Sequence, residues 1–194
     1  HLIPYKVTNL NLQYFPDQTA KGYATGLEMK LWGEPIPGAT SWASVTLMKT
    51  EEDIFGDHYL KEASGGTPAV VVYPGYLPRP SDQRFNFSLF FQDFLPKNPT
   101  VKMNLTLLYG SRLPFGPPHS ERYMDTFRMP AYKRVDLGFS KMLIGGSETR
   151  RSNFFSKNLK EAWLSLEIFN LFGLENTISY YWVTDFQNHM HAGA

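Results

Sequence analysis

An all-β fold, an antiparallel up-and-down meander of about eight strands, is what this 194-residue sequence predicts. Three observations carry that reading. Several segments alternate polar and apolar residues with period two, the pattern of strands with one wet and one dry face. Aromatic residues make up 15% of the chain and 14 prolines and 15 glycines punctuate it, which suits strands separated by frequent turns. Short and long connections alternate along the middle of the chain, and in a meander this collects the long loops at one end.

The alternation is clearest where Lys102, Asn104 and Thr106 interleave with Val101, Met103, Leu105, Leu107 and Tyr109. Arg84, Asn86, Ser88 and Gln92 interleave in the same way with Phe85, Phe87, Leu89 and Phe91, with Phe90 as the exception. Glu28 and Lys30 alternate with Leu27, Met29 and Leu31, Ser44 and Thr46 with Ala43, Val45 and Leu47, and Asp136 and Ser140 with Val135, Leu137 and Phe139. Strands are expected at roughly 5–15, 21–33, 41–52, 83–95, 100–112, 134–144, 160–172 and 177–186. In the seventh, Leu159, Ala162, Trp163, Leu166 and Phe169 would also make a helical stripe; the alternation of Leu164, Leu166 and Ile168 with Ser165 and Glu167 favours a strand. Turns are expected at Gly33 to Gly38 and at Pro96 to Pro99. Long irregular loops are expected from Asp53 to Asp82 and from Leu113 to Lys133, a length that usually signals function.

Composition excludes several chemistries. With no cysteine there is no disulfide, thiol nucleophile or cysteine-bound metal. A net charge of +1 with no basic stripe argues against nucleic acid as a partner. No apolar run approaches the ~18–20 residues of a membrane-spanning helix, although membrane-spanning strands need only ~9–11 alternating residues. The opening residues, His1 to Tyr5, carry no signal-peptide pattern and read as the start of an internal fragment.

Alternation alone leaves two architectures open, since a soluble sandwich alternates as well. The polar parity holds Glu28, Lys30, Arg84, Lys102, Arg134, Asp136 and Glu167, which suits bulk water or a wide wet lumen. The apolar parity is rich in Phe, Leu and Met. Tyr5, Trp32, Trp42, Tyr109 and Trp163 fall near strand ends, as in the aromatic girdles of membrane barrels.

Four stretches carry a family resemblance. They are Arg79-Pro80-Ser81-Asp82-Gln83-Arg84-Phe85-Asn86-Phe87-Ser88-Leu89-Phe90-Phe91-Gln92-Asp93, Leu113-Pro114-Phe115-Gly116-Pro117-Pro118, Arg128 to Ser140, and Trp163 to Phe172 with its Asn170-Leu171-Phe172 ending. In this order and spacing, and with Thr50-Glu51-Glu52-Asp53 after an alternating strand, the chain resembles the C-terminal part of the barrel of TonB-dependent outer-membrane receptors of Bacteroidetes type. The resemblance implies an incomplete segment of a large, plug-filled transmembrane β-barrel located in the cell outer membrane. It implies active uptake of a scarce bulky nutrient, an iron chelate, cobalamin, glycan or peptide. The implied partners are the lipid bilayer, the receptor's own plug domain and a TonB-type energy-coupling protein. The plug, the energy-coupling box and the closing strand are expected outside residues 1–194. A soluble all-β ligand-binding module, such as a carbohydrate-binding sandwich, is the alternative.

No catalytic residue, cofactor or metal site is expected. Asp185, His189 and His191 lack a strict ligand pattern and read as solvated loop residues. Glu28, Asp136 and Glu167 read as lumen-wall charges matched by Lys30, Lys102 and Arg134, rather than as paired catalytic carboxylates. There is no nucleophile elbow or Gly-rich phosphate loop. The sequons at Asn86 and Asn104 fall inside strands, where modification is implausible. The candidate ligand contacts are loop residues suited to stacking on or pairing with a polar ligand: Tyr73, Tyr76, Arg79, Arg122, Tyr123 and Arg128. The competing reading is that they pack the loops together.

Overall fold

The computed structural model describes residues 2–8, 11–61, 68–117, 120–125, 127–145, 161–187 and 190–193. Six long strands form the body of one antiparallel sheet: β3 (Ala20–Ile36), β4 (Ala39–Ile54), β8 (Phe85–Leu95), β9 (Asn98–Gly110), β12 (Tyr132–Ile144) and β13 (Ala162–Ile168). Their order is β13-β12-β9-β8-β4-β3, each strand beside its long neighbours in sequence, and a seventh, short strand β7 (Tyr76–Pro78) pairs with the far end of β4. The all-β antiparallel up-and-down meander is therefore the architecture observed. Among the described residues the sheet is open.

Two tight turns set the register at one end. Pro37-Gly38 joins β3 to β4, with Gly38 at φ 79°. Proline ahead of a positive-φ glycine meets the requirement of a type II turn. Pro96-Lys97 joins β8 to β9, and here Lys97 itself takes φ 64°.

The register sorts the side chains into two faces. One row across the sheet reads Leu31, Ala43, Leu89, Leu107, Val135, and the next Met29, Val45, Phe87, Tyr109, Lys133. Towards the tight turns, Phe91, Leu105, Leu137 and Ile168 form another row, then Asp93, Met103, Phe139 and Leu166. The opposite face carries Lys30, Ser44, Ser88, Leu108 and Arg134 in one row and Gln92, Asn104, Gly138 and Glu167 in another.

No second layer covers the apolar face among the described residues. Leu31 is 77% exposed, Met29 58% and Leu166 65%, and the buried hydrophobic core among the described residues is limited to Ala20, Ala39 and Ile54, with Pro4 as a further buried side chain. A soluble domain of this size would bury a core of large side chains.

Five features differ from the sequence expectation. The expected strand at 5–15 is a hairpin, β1 (Tyr5–Thr8) with β2 (Asn11–Tyr14); Thr8 pairs Asn11, leaving two residues for the connection. Both long loops contain local structure. The first has the hairpin β5 (Tyr59–Lys61) with β6 (Val70–Val72), besides β7, and the second pairs β10 (Pro114–Phe115) with β11 (Phe127–Arg128) and has a 3-10 turn at Arg122–Met124. The stretch at 177–186 contributes only β14 (Tyr181–Thr184), which pairs with β15 (Met190–Gly193) outside the main sheet. Trp32, Trp42 and Trp163 lie on the polar parity: Trp32 is opposite Trp42, beside the Lys30–Ser44 pair, and Trp163 is opposite Met142. Nearness to a strand end was the wrong criterion for a girdle, because parity decides the face. Trp42 stacks on Phe90, ring centroids 6.3 Å apart, which accounts for the one aromatic that breaks the alternation of β8.

The helix-or-strand ambiguity after Leu159 resolves as the strand β13, paired along β12. It ends because Asn170 adopts φ 53°. The Asn170 side chain then accepts from the Leu174 N–H (3.0 Å) and donates to the Leu174 carbonyl (3.0 Å), closing the turn. Beyond it, Asn176 pairs with the Lys133 backbone like a strand residue, accepting its N–H (2.9 Å) and donating to its carbonyl (2.8 Å).

Candidate functional site

The residues that concentrate chemistry lie at the loop end of the sheet. β4 carries Thr50 and Glu52 on the polar parity to its last turn of alternation, and Glu52 is fully buried. A carboxylate there must be paired to be tolerated. Arg122 from the second loop donates to it at 3.1 Å, and Arg79 from the first loop lies 3.2 Å away. Arg122 also donates to the Pro78 carbonyl (2.9 Å) and to Asp125. Asp125 in turn pairs with Lys6 of β1 at 2.8 Å, and the Lys6 ammonium donates to the Ser120 hydroxyl at 2.8 Å. Gly116 makes room for this contact: a Cβ there would meet Asp125 Oδ1 at 2.1 Å.

A second knot lies beside the first. Asp82, also fully buried, accepts the Thr50 N–H at 2.9 Å, Arg84 at 2.7 Å and Arg128 at 2.9 Å. Together the knots tie the β1–β2 hairpin, both long loops and the end of β4 into one ionic plate. Because Glu52 belongs to the polar parity, the plate sits over the polar face, not the apolar one.

Aromatic stacking adds to it. Tyr123 stacks on Tyr59 with centroids 4.8 Å apart, and Arg79 lies over the Tyr5 ring at 5.3 Å. Further along, Phe115 stacks on Tyr180 at 4.6 Å and meets the rings of Trp182 and Phe127 at a tilt, carrying the segment after β13 into the same cluster.

The six candidate ligand contacts separate into two groups. Arg79, Arg122 and Arg128 are brought together in the plate, and their guanidinium groups are engaged by Glu52, Asp125 and Asp82. Tyr123 is engaged by Tyr59. Tyr73 is 72% exposed, and Tyr76 packs edge-on to Tyr23 at 5.4 Å while remaining 47% exposed. Those two tyrosines are the candidates whose rings face outward.

Of the three carboxylates expected on a lumen wall, Asp136 is held by Arg134 at 2.7 Å and accepts the Asn170 N–H at 2.8 Å. Glu28 is opposite Thr46 and Glu167 opposite Gly138. Four inter-strand steps separate β3 from β12, roughly 19 Å, so Glu28 and Asp136 cannot act on one atom. Lys30 lies over Trp42 (5.8 Å) and Lys102 over Trp163 (4.8 Å), so these cations meet rings. Asn86 and Asn104 lie within β8 and β9. His191 Nε2 is 3.2 Å from Asp185, His189 falls outside the described residues, and no group of three metal-ligating side chains occurs among the described residues.

Lys6, Glu52, Asp82 and Asp125 are the plate residues that sequence reasoning missed. The one available signal was Glu52 itself, a charge continuing the polar parity of β4 into a loop.

The plate should respond to pH in two opposite ways. Burial alone would raise the Asp82 carboxyl, but the Thr50 N–H and the guanidinium groups of Arg84 and Arg128 outweigh it and hold it below its ordinary value near 3.8. Its stabilisation is therefore present above that value and is lost as pH falls through the lower folded value. The Asp57 carboxyl is raised by burial, with Glu121 adding repulsion. Its contribution is full below the ordinary value and is lost as pH rises through the raised one, so it opposes the plate at neutral pH. Limited proteolysis at pH 7 should cut the first loop more slowly in Asp57→Asn and faster in Asp82→Asn.

Comparison with known protein families, with curated proteins and with solved structures finds no match to this chain.

Proposed function

We propose that this chain is part of the barrel wall of a TonB-dependent outer-membrane receptor that takes up a scarce bulky nutrient. The observation that carries the reading is the apolar face. Leu, Phe, Met, Val and Ile side chains run unbroken across six strands with nothing over them among the described residues. Such a patch far exceeds what a soluble monomer leaves to water, and a hydrocarbon phase is a solvent that stabilises it. A soluble sandwich would need a second sheet against it.

Strand length supports the same reading. β3 has 17 residues, β4 16, β9 and β12 13 each, and β8 11. Strands of soluble domains are usually ~5–6 residues, whereas crossing a bilayer takes ~9–11. Tight turns join β3 to β4 and β8 to β9 at one end, and the elaborated loops after β4 and β9 lie at the other, which adds a further likeness. On this reading the polar face lines a wet lumen occupied by a plug, an energy-coupling protein acts from the periplasm, and the ionic plate holds the external loops above the lumen. The ligand, an iron chelate, cobalamin, glycan or peptide, would meet the outward-facing Tyr73, whereas Tyr76, opposite Asp53 and packed on Tyr23, belongs to the apolar parity. No catalytic step is assigned.

Topology gives the test. On intact cells a membrane-impermeant maleimide should label Tyr73→Cys in the full-length protein and leave Asn98→Cys, at a tight turn, unlabelled. Labelling of Asn98→Cys alone would invert the topology, and equal labelling of both in a soluble fraction would end the membrane reading.

A further inference from the structure

The two borders of the apolar face differ. At the tight-turn border the face ends in Asp93 and Lys141, one charge of each sign. At the loop border it ends in Tyr23, Thr25, Lys49, Tyr109 and Lys133, all on the apolar parity. The tyrosines there are packed in place, Tyr109 against Phe85 at 5.7 Å and Tyr23 under the Lys49 ammonium at 5.8 Å.

A shallow groove of about 290 Å³ opens at this border. Leu27 and Leu47, opposite each other and 57% and 48% exposed, form its floor, and Thr25, Lys49 and Arg84 form its rim. Lys49 meets Glu51 at 2.8 Å, and Arg84 reaches the same carboxylate at 3.6 Å while also pairing with Asp82, which Arg128 shares. Three cations thus face two carboxylates. The rim side chains of Lys49 and Arg84 remain 41% and 42% exposed.

We propose that this groove binds the anionic headgroup of a membrane lipid, with its phosphate at Lys49, Arg84 and the Thr25 hydroxyl and its acyl chains on Leu27 and Leu47. The inference rests on the membrane reading and deepens it by naming a lipid contact. An apolar floor that opens directly onto the lipid-facing surface, under a cationic and hydroxyl-bearing rim, matches the two halves of such a molecule. A soluble anion would leave the leucines uncovered. Cations beside an anionic lipid surface favour association, and tyrosines favour the same depth.

The test uses the full-length protein in phosphatidylcholine bilayers carrying spin-labelled phosphatidic acid or spin-labelled phosphatidylcholine. The motionally restricted fraction reports lipid held at the protein surface. Phosphatidic acid should be preferred by roughly five- to tenfold at low salt, the effect of the one cation in excess over the two carboxylates. The preference should fall with added salt and approach unity in Lys49→Gln/Arg84→Gln, whereas Lys141→Gln at the other border should keep it. Because the double variant also strips partners from Glu51 and from the buried Asp82, the salt titration of the unaltered protein is the independent measurement. Restricted lipid with no preference, or a preference unaffected by salt, would overturn the headgroup site and leave the membrane reading standing. No restricted lipid at all would overturn both.

Discussion

Arginine in place of Leu105 is expected to lower the stability of the bilayer-folded protein by ~2–4 kcal/mol, and arginine in place of Thr106 by far less. The two residues are adjacent on β9 and differ in face. Leu105 lies between Phe91 and Leu137 near the middle of the apolar band, so on the proposed membrane reading a guanidinium there would stand in hydrocarbon. Thr106 lies between Phe90 and Asp136 on the polar face, where water and a carboxylate are at hand. Denaturant titration of the refolded full-length protein reads both values. Similar penalties at the two positions would refute the assignment of faces.

The second large effect is expected in the plate. Arg122→Met removes the cation that Glu52 and Asp125 share, and both carboxylates are at least 95% buried. Breaking a buried pair from one side typically costs ~3–5 kcal/mol; here Arg79 remains beside Glu52 and Lys6 beside Asp125, so the loss should fall near the lower end of that range. The loss should appear locally, as faster hydrogen exchange and protease cleavage in both long loops, with the sheet strands unaffected. Replacing both members, Glu52→Leu/Arg122→Met, should restore much of the protection, since no orphaned charge then remains at Glu52. If the double replacement were as damaging as the sum of the single ones, the pair would not be coupled.

The sheet was legible in the sequence because its physics is local. Alternation from Val101 to Tyr109 is enough to place β9 and both of its faces, and the same holds for β3, β4, β8 and β12. What escaped depends on distant partners. Glu52 and Arg122 are 70 residues apart, and Lys6 and Asp125 are farther still, so a short window of sequence contains only the local pairs Asp82–Arg84 and Arg122–Asp125 and none of those that tie the loops to β4 and β1. Arg79, Arg122 and Arg128 looked like ligand contacts for that reason: a loop arginine without its carboxylate in view resembles a free one. The hairpin at residues 5–14 failed differently, since each arm is only four residues long and too short for alternation to mark a break. Among the aromatics, Trp32 and Trp42 needed the register of β3 on β4 before their face could be assigned.

The proposal that this sheet faces lipid is tested most directly by nitroxide scanning along residues 101–109 in bilayers, one label at a time in the full-length protein. Oxygen, which concentrates in hydrocarbon, should reach labels at Val101, Met103, Leu105 and Leu107 best, and a water-soluble nickel chelate should reach those at Lys102, Asn104 and Thr106 best. The two accessibilities should oscillate with period two and in antiphase. Low accessibility to both reagents at Met103, Leu105 and Leu107, in a protein that stays monomeric in plain buffer, would mean that a second protein layer covers this face, and would contradict the account.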